Sequence, residues 1–161
     1  MKKLNLGCGN DIKKDYVNLD SVKLNGVDIV HNLNKFPYPF ENNEFDYVEA
    51  RHVLEHLEDI PKVLRELWRI CKKNAIIKIR APHFASYGAW TDLTHKHPFG
   101  WMSLDYMASN KVNKHSVGKN LSHEYGKERF NVKRKLIFGK AHRTMGISFI
   151  ANTHPLFYET F

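Results

Sequence analysis

Four groups of residues in this sequence are of types, and at spacings, that can do chemistry. The first is Gly7-Cys8-Gly9, followed by an acid at Asp20. Two glycines let the backbone approach a ligand closely, because no side chain intervenes. An acid at the end of the next strand can accept hydrogen bonds from a ribose diol. A dinucleotide fingerprint would carry a third glycine at position 12, where this chain has Ile12, and no Gly-Lys-Ser/Thr follows the loop. That excludes a P-loop and leaves NAD, another nucleoside ligand or an ordinary glycine turn. Cys8 reads as a small residue that the turn requires rather than a reactive thiol.

The second group is His52 with His56, four apart around the start of a helix, where ligand contact competes with capping and packing. The third is His83, Asp92, His95 and His97 in a loop also containing Phe84, Tyr87, Trp90 and Trp101. One reading makes His95 or Asp92 a general base, a second makes His95 and His97 metal ligands, and a third packs them as polar loop residues among those aromatics. No tight three-ligand spacing is visible, so no metal site is predicted. The fourth is a basic stretch. Residues 111–143 hold ten Lys and Arg against two Glu, a net +8 that equals the charge of the whole chain. Such a stretch suits a phosphate-bearing or otherwise acidic partner, nucleic acid included, and equally a solvated loop.

The elements that must position these groups can be read from periodicity. Leu4–Leu6, Tyr16–Asp20, Val27–His31, Phe45–Ala50 and Ala75–Ile79 read as strands, with further ones at Leu136–Phe138 and Ile147–Ile150. Phe36-Pro37-Tyr38-Pro39-Phe40 holds two prolines and must be an ordered loop. Leu57, Ile60, Leu64, Leu67 and Cys71 form one apolar helical stripe, with Asp59 as its cap, Pro61 in its first turn and Lys72-Lys73 closing its end. Strands separated by turns and a helix imply an α/β fold with a parallel sheet, whose ligands bind at the carboxyl ends of the strands.

At 161 residues, with 42% hydrophobic and 12% aromatic content, the chain is long and apolar enough for one domain with a real core. We read it as a single domain, 1–161, with a cofactor-binding half at 1–82 and a substrate side at 83–161. No apolar run approaches the roughly 20 residues of a membrane span, and residues 1–5 lead straight into the glycine turn without a signal-peptide stretch. Cys8 and Cys71 are too few for a disulfide framework. The expectation is a soluble, cytoplasmic protein without a membrane partner.

The run Leu4–Asn10 with Tyr16–Asp20 resembles the first two motifs of class I S-adenosylmethionine-dependent methyltransferases. Phe45–Leu57 is similar to the fourth-strand motif of the small-molecule-type, type 11 branch, and the Pro-Tyr-Pro-Phe loop, the Leu-Arg-Glu-Leu-Trp-Arg helix and Thr91–Lys96 also match that branch. The resemblance spans residues 3 to about 100. It implies a Rossmann-like, doubly wound, mostly parallel sheet with helices on both faces. It also implies S-adenosylmethionine as cofactor and methyl transfer to an acceptor by in-line displacement, which needs alignment and exclusion of water and at most an optional base. Carried over by position, Gly7, Cys8 and Gly9 would face the methionine part, Asp20 the ribose, Asn32 and Leu33 the adenine, and Arg51 and His52 the sulfonium and methionine. The acceptor would be a small molecule or a phosphate-bearing one.

Two departures set expectations. Only ten residues separate Gly9 from Asp20, so the first crossover must be abbreviated. Lys73-Asn74 stands where relatives carry a glycine pair. A short C-terminus further predicts an incomplete sheet edge, closed by a rearranged C-terminus or by a second copy in a homodimer. The competing classes are a noncatalytic nucleoside-binding protein and an RNA-binding or RNA-modifying protein that uses 111–143.

Overall fold

The computed structural model describes residues 1–109, 128, 130–133 and 135. The strands expected at Leu136–Phe138 and Ile147–Ile150, and all of the basic stretch except residues 128, 130–133 and 135, lie outside the described residues. The chain divides into two compact units, one made of Met1–Pro82 with Asp92–His97, the other of His83–Thr91 with Pro98–Phe161.

The first unit is a parallel five-stranded sheet. Its strands are β1 (Lys3–Leu6), β2 (Val17–Asp20), β3 (Ile29–Val30), β4 (Phe45–Arg51) and β5 (Cys71–Arg80), in the order β3-β2-β1-β4-β5. Central β1 is buried on both faces, with Leu4, Asn5 and Leu6 each 2% exposed or less. Leu19, Phe45, Val48 and Ala50 extend that core, as do Val63, Leu67 and Ile70 of helix α1 (Ile60–Ile70). Asp59 caps α1 as expected, its carboxylate accepting from the Lys62 amide at 2.9 Å.

The first crossover is abbreviated to the point of having no helix, and two buried asparagines hold it instead. Asn5 and Asn18 are paired in register on β1 and β2, and the Asn5 amide donates to Asn18 Oδ1 at 3.0 Å and to the Asp11 carbonyl at 2.7 Å. Asn18 Oδ1 also accepts from the Lys13 amide at 2.9 Å. Loop 7–16 therefore satisfies its polar backbone against side chains of the sheet rather than against a helix of its own. Among the described residues α1 is the one α-helix, so the expected cover of helices on both faces is reduced to a single element there.

The Pro-rich loop is ordered as predicted. The Tyr38 amide donates to Glu66 Oε2 at 2.8 Å, and the Arg69 guanidinium donates to the carbonyls of Phe40 (2.8 Å) and Tyr38 (3.0 Å). The Phe36–Pro37 peptide is cis.

Two boundaries differ from expectation. The Leu57 backbone is extended, so the stripe begins only at Ile60. Lys72-Lys73 does not close α1, because Cys71 is already extended and starts β5. A buried residue continuing the 3.6-residue stripe satisfies a strand start equally well. Asn74 adopts φ +66° in the register shift between β4 and β5, the left-handed conformation a glycine would otherwise supply. β5 is an outer strand of this sheet among the described residues, and its alternate residues Lys78 and Arg80 are exposed. No helix among those residues is long and apolar enough to cross a membrane.

In the second unit, His83 bridges to Phe99 and Ala108 to Phe130, and the Trp90 indole donates to the Phe84 carbonyl at 2.6 Å. Tyr87 and Trp90 are largely exposed. The rings of His83 and Phe84 lie 4.7 Å apart.

Candidate functional site

Strand order reverses beside β1: the chain goes from β1 to β2 on one side and returns from β3 to β4 on the other. Ligands of open α/β sheets bind in the crevice at such a point, outside the carboxyl ends of the strands. Gly7-Cys8-Gly9 leaves β1 there, Asp20 ends β2, Asn32 and Leu33 follow β3, and Arg51 and His52 end and follow β4.

The two glycines have different duties. Gly7 has φ +63°, and a Cβ there would stand 2.5 Å from Val53 Cγ2, so its bareness lets the loops after β1 and β4 close on each other. Gly9 has φ +49° and open space where a Cβ would sit. Its amide donates to Asp20 Oδ2 at 2.7 Å, while Asp20 Oδ1 accepts from the Val22 amide at 3.1 Å. The carboxylate is thus fixed: Oδ1 also accepts from the Ser21 hydroxyl at 3.4 Å, and Oδ2 keeps a lone pair for a diol hydroxyl. The Asp20 carbonyl takes the His31 amide at 2.8 Å, which brings the end of β3 alongside.

Asn32 is exposed, its side-chain oxygen accepting from the Asn34 amide at 2.9 Å. Leu33 is buried, and its carbonyl accepts from the Tyr38 hydroxyl at 3.0 Å. Arg51 is half-exposed, 3.7 Å from the Asp11 carboxylate. Burial first, and the Asp20 charge second, push the Cys8 thiol above its ordinary pKa. It is a neutral, buried small residue, as the turn requires.

His52 is held at φ +54°, its amide donating to the Arg80 carbonyl at 2.8 Å and its Nδ1 lying 3.2 Å from Glu55 Oε1. Residues 92–97 dock on the 3-10 turn Leu54–His56. The amides of Lys96 and His97 donate to the Glu55 carbonyl at 2.7 and 3.3 Å, and Lys96 Nζ reaches Glu58 at 3.0 Å. Thr94 Oγ1 lies 2.6 Å from Asp92 Oδ1 and 2.9 Å from His56 Nδ1. His95 Nε2 stands 3.9 Å from Asp92 Oδ2, and its ring lies 4.7 Å from that of His56. The Thr94 hydroxyl, then its amide, hold the Asp92 carboxyl below the usual range.

All ten predicted site residues belong to the first unit, eight on the crevice and Asp92 with His95 on the docked segment. The structure does not pair His95 with His97, whose Nε2 is 3.2 Å from the Glu58 carbonyl. It pairs His95 with His56 and Glu55: one ligand-type atom from each lies within 4.8 Å of the other two. Sequence reasoning missed Glu55, Thr94 and this use of His56. The signal that could have found two of them is His52-x-x-Glu55-His56, a spacing that gathers side chains on one side of a helical turn.

Residues 7–79 match the family described as "Methyltransferase domain". A crystal structure of a SAM-dependent methyltransferase from Archaeoglobus fulgidus is similar at 16% identity, with a TM-score of 0.55 over 77% of each chain. The YcgJ protein from Bacillus subtilis is similar at 16% identity and a TM-score of 0.48, over 60% of this chain. This chain spans 55% of the length of that Bacillus protein. No curated protein matches the sequence.

Proposed function

We infer that this chain, whose residues 7–79 match the family described as "Methyltransferase domain", is a class I S-adenosylmethionine-dependent methyltransferase of the type 11 branch, binding S-adenosylmethionine in the crevice beside β1 and methylating a small or phosphate-bearing acceptor. The observation that carries this reading is the pairing of a bare, left-handed Gly9 with a backbone-fixed Asp20 at the point where strand order reverses. Open space at the Gly9 Cβ position is a cradle for a ligand rather than for a side chain, and the carboxylate beside it suits a ribose.

The cofactor, when bound, supplies a methyl group already activated on a sulfonium. The chain's part is to orient and to shield. Asp20 accepts from the ribose hydroxyls, and the backbone at Gly7, Cys8 and Gly9 runs against the methionine part. Asn32 and Leu33 flank the adenine, the Asn32 amide nitrogen serving as donor while its oxygen holds the Asn34 turn. Arg51 faces the methionine carboxylate across a weak, water-exposed link to Asp11 that a ligand can replace. On the acceptor side, His95 takes the acceptor's proton and Asp92, which stays ionised, balances the imidazolium. The net +8 of residues 111–143 supports a phosphate-bearing acceptor over a neutral one.

Calorimetric titration with S-adenosylhomocysteine, beside NADH as control, tests the reading. Micromolar binding of the first alone is expected, and Asp20→Ala abolishes it in a folded protein. Unchanged affinity in that variant overturns the ribose assignment, and no binding by the folded parent chain overturns the cofactor reading.

A further inference from the structure

Glu55 is fully buried, on the turn that follows β4. Its Oε1 faces His52, and its Oε2 has no hydrogen-bond partner among the described residues. A carboxylate oxygen removed from water and left without a donor is costly, and a bound cation removes that cost. The two imidazoles of His56 and His95 stand beside it, the three candidate ligand atoms within 4.8 Å of one another.

We propose that Glu55, His56 and His95 form a binding site for a divalent transition-metal ion of the zinc class. Two imidazoles and one carboxylate are a three-ligand set that zinc uses where it keeps a further position open for water or substrate. Bonds of 2.0–2.2 Å in a tetrahedral site put ligand atoms roughly 3.4 Å apart, so small side-chain rotations close the set on an ion.

The surroundings prepare this set. At 2.6 Å from Asp92 Oδ1, the Thr94 hydroxyl spends its proton on that carboxylate, and the Thr94 amide donates to the same oxygen at 2.9 Å. The hydroxyl oxygen can then only accept from His56 Nδ1, 2.9 Å away. This fixes His56 as the Nδ1–H tautomer, with the Nε2 lone pair left as ligand. A carboxylate acting through an oriented hydroxyl on the far nitrogen of an imidazole is the arrangement that tunes metal-bound histidines. The Lys96 and His97 amides on the Glu55 carbonyl pin the loop that carries His95 to the turn that carries the other two ligands. With the ion bound, the His95 lone pair is committed to the metal, and His95 serves as the acceptor's base only in the metal-free protein.

The test uses the full chain, stripped with a chelator and titrated with Zn²⁺ against a chromophoric competitor, then with Co²⁺ for visible ligand-field bands. One ion per chain is expected, with Co²⁺ bands of a four- or five-coordinate site. His95→Gln and Glu55→Gln should lose stoichiometric binding, and Thr94→Val should weaken it about 10- to 100-fold. Should Glu55→Gln fail to fold, His95→Gln on the docked loop decides alone. Absence of stoichiometric Zn²⁺ binding in a folded parent chain overturns the site, as does affinity unchanged in His95→Gln. The site stands or falls independently of the cofactor reading, because S-adenosylhomocysteine titrated into the same samples reports on the crevice alone.

Discussion

Val53 sets the difference between the two glycines of the β1 loop, and that difference can be measured. A Cβ at residue 7 would lie 2.5 Å from Val53 Cγ2 on a backbone of φ +63°. Gly7→Ala therefore combines left-handed strain with overpacking and should lower stability by about 3 kcal/mol in denaturant melts. Gly9→Ala carries only the strain, about 1–2 kcal/mol. It should keep the fold yet weaken S-adenosylhomocysteine binding by calorimetry, because the added methyl projects into the space assigned to the ligand. Equal losses of stability in the two variants would contradict the division of labour. Burial pushes the Cys71 thiol up to about 11, so it should stay unmodified by thiol reagents in the native protein at pH 8 and react on unfolding. At this scale the sequence was informative where a residue's chemistry is local: the glycine turn and the acid at the next strand end do meet, the Gly9 amide donating to Asp20. Glu55 was not legible in that way. Its burial and its neighbours depend on a hydrogen-bonded loop some 40 residues along the chain, around Thr94, and no periodicity reports such a contact.

Helix α1 does more than cover the sheet, since it also holds the Pro-rich loop that leads into β4. Glu66 accepts from the Tyr38 amide and from Arg69, which itself reaches the Tyr38 and Phe40 carbonyls. Burial raises the Glu66 pKa, but the bonds from Arg69 and from the Tyr38 amide outweigh it, and the net shift is downward. A carboxyl with a depressed folded pKa contributes stability above its unfolded value, near about 4.3, and loses it as pH falls through the folded value. Glu66→Gln should cost about 1–3 kcal/mol at pH 7, and the gap between variant and parent should narrow on acidification below about pH 4 in paired denaturation curves. A gap independent of pH would mean that the carboxylate's charge contributes nothing. The elements themselves were largely legible, because alternating or continuous apolar runs set β1, β2 and β4 within a residue or so. The junction of α1 and β5 was not, since buried Cys71 suits either element and Asn74 substitutes for glycine in the turn. Nor does an amphipathic pattern reveal that Asn5 and Asn18 replace a crossover helix. Strand asparagines read as breaks until their partners in the loop are known.

For the whole molecule, a crevice assembled from the ends of β1, β2, β3 and β4 ties ligand binding to the integrity of the sheet. None of these elements carries the site alone: Gly9 needs Asp20 of β2, Asp20 needs the His31 amide beyond β3, and Gly7 needs Val53 beyond β4. A ligand that bridges them binds the native state and not the unfolded chain, so it must raise the melting temperature by mass action. At a hundred times its dissociation constant, S-adenosylhomocysteine should add about 2.7 kcal/mol, which for a chain of this size is a rise of about 5–10 °C. NADH at the same concentration should leave the melt unchanged, because the chain has Ile12 where the dinucleotide turn needs a third glycine. Asp20→Ala should remove the shift while melting as cooperatively as the parent. A shift that survives this substitution would place the ligand elsewhere on the molecule, and equal shifts with both nucleotides would reduce the crevice to a general nucleoside pocket.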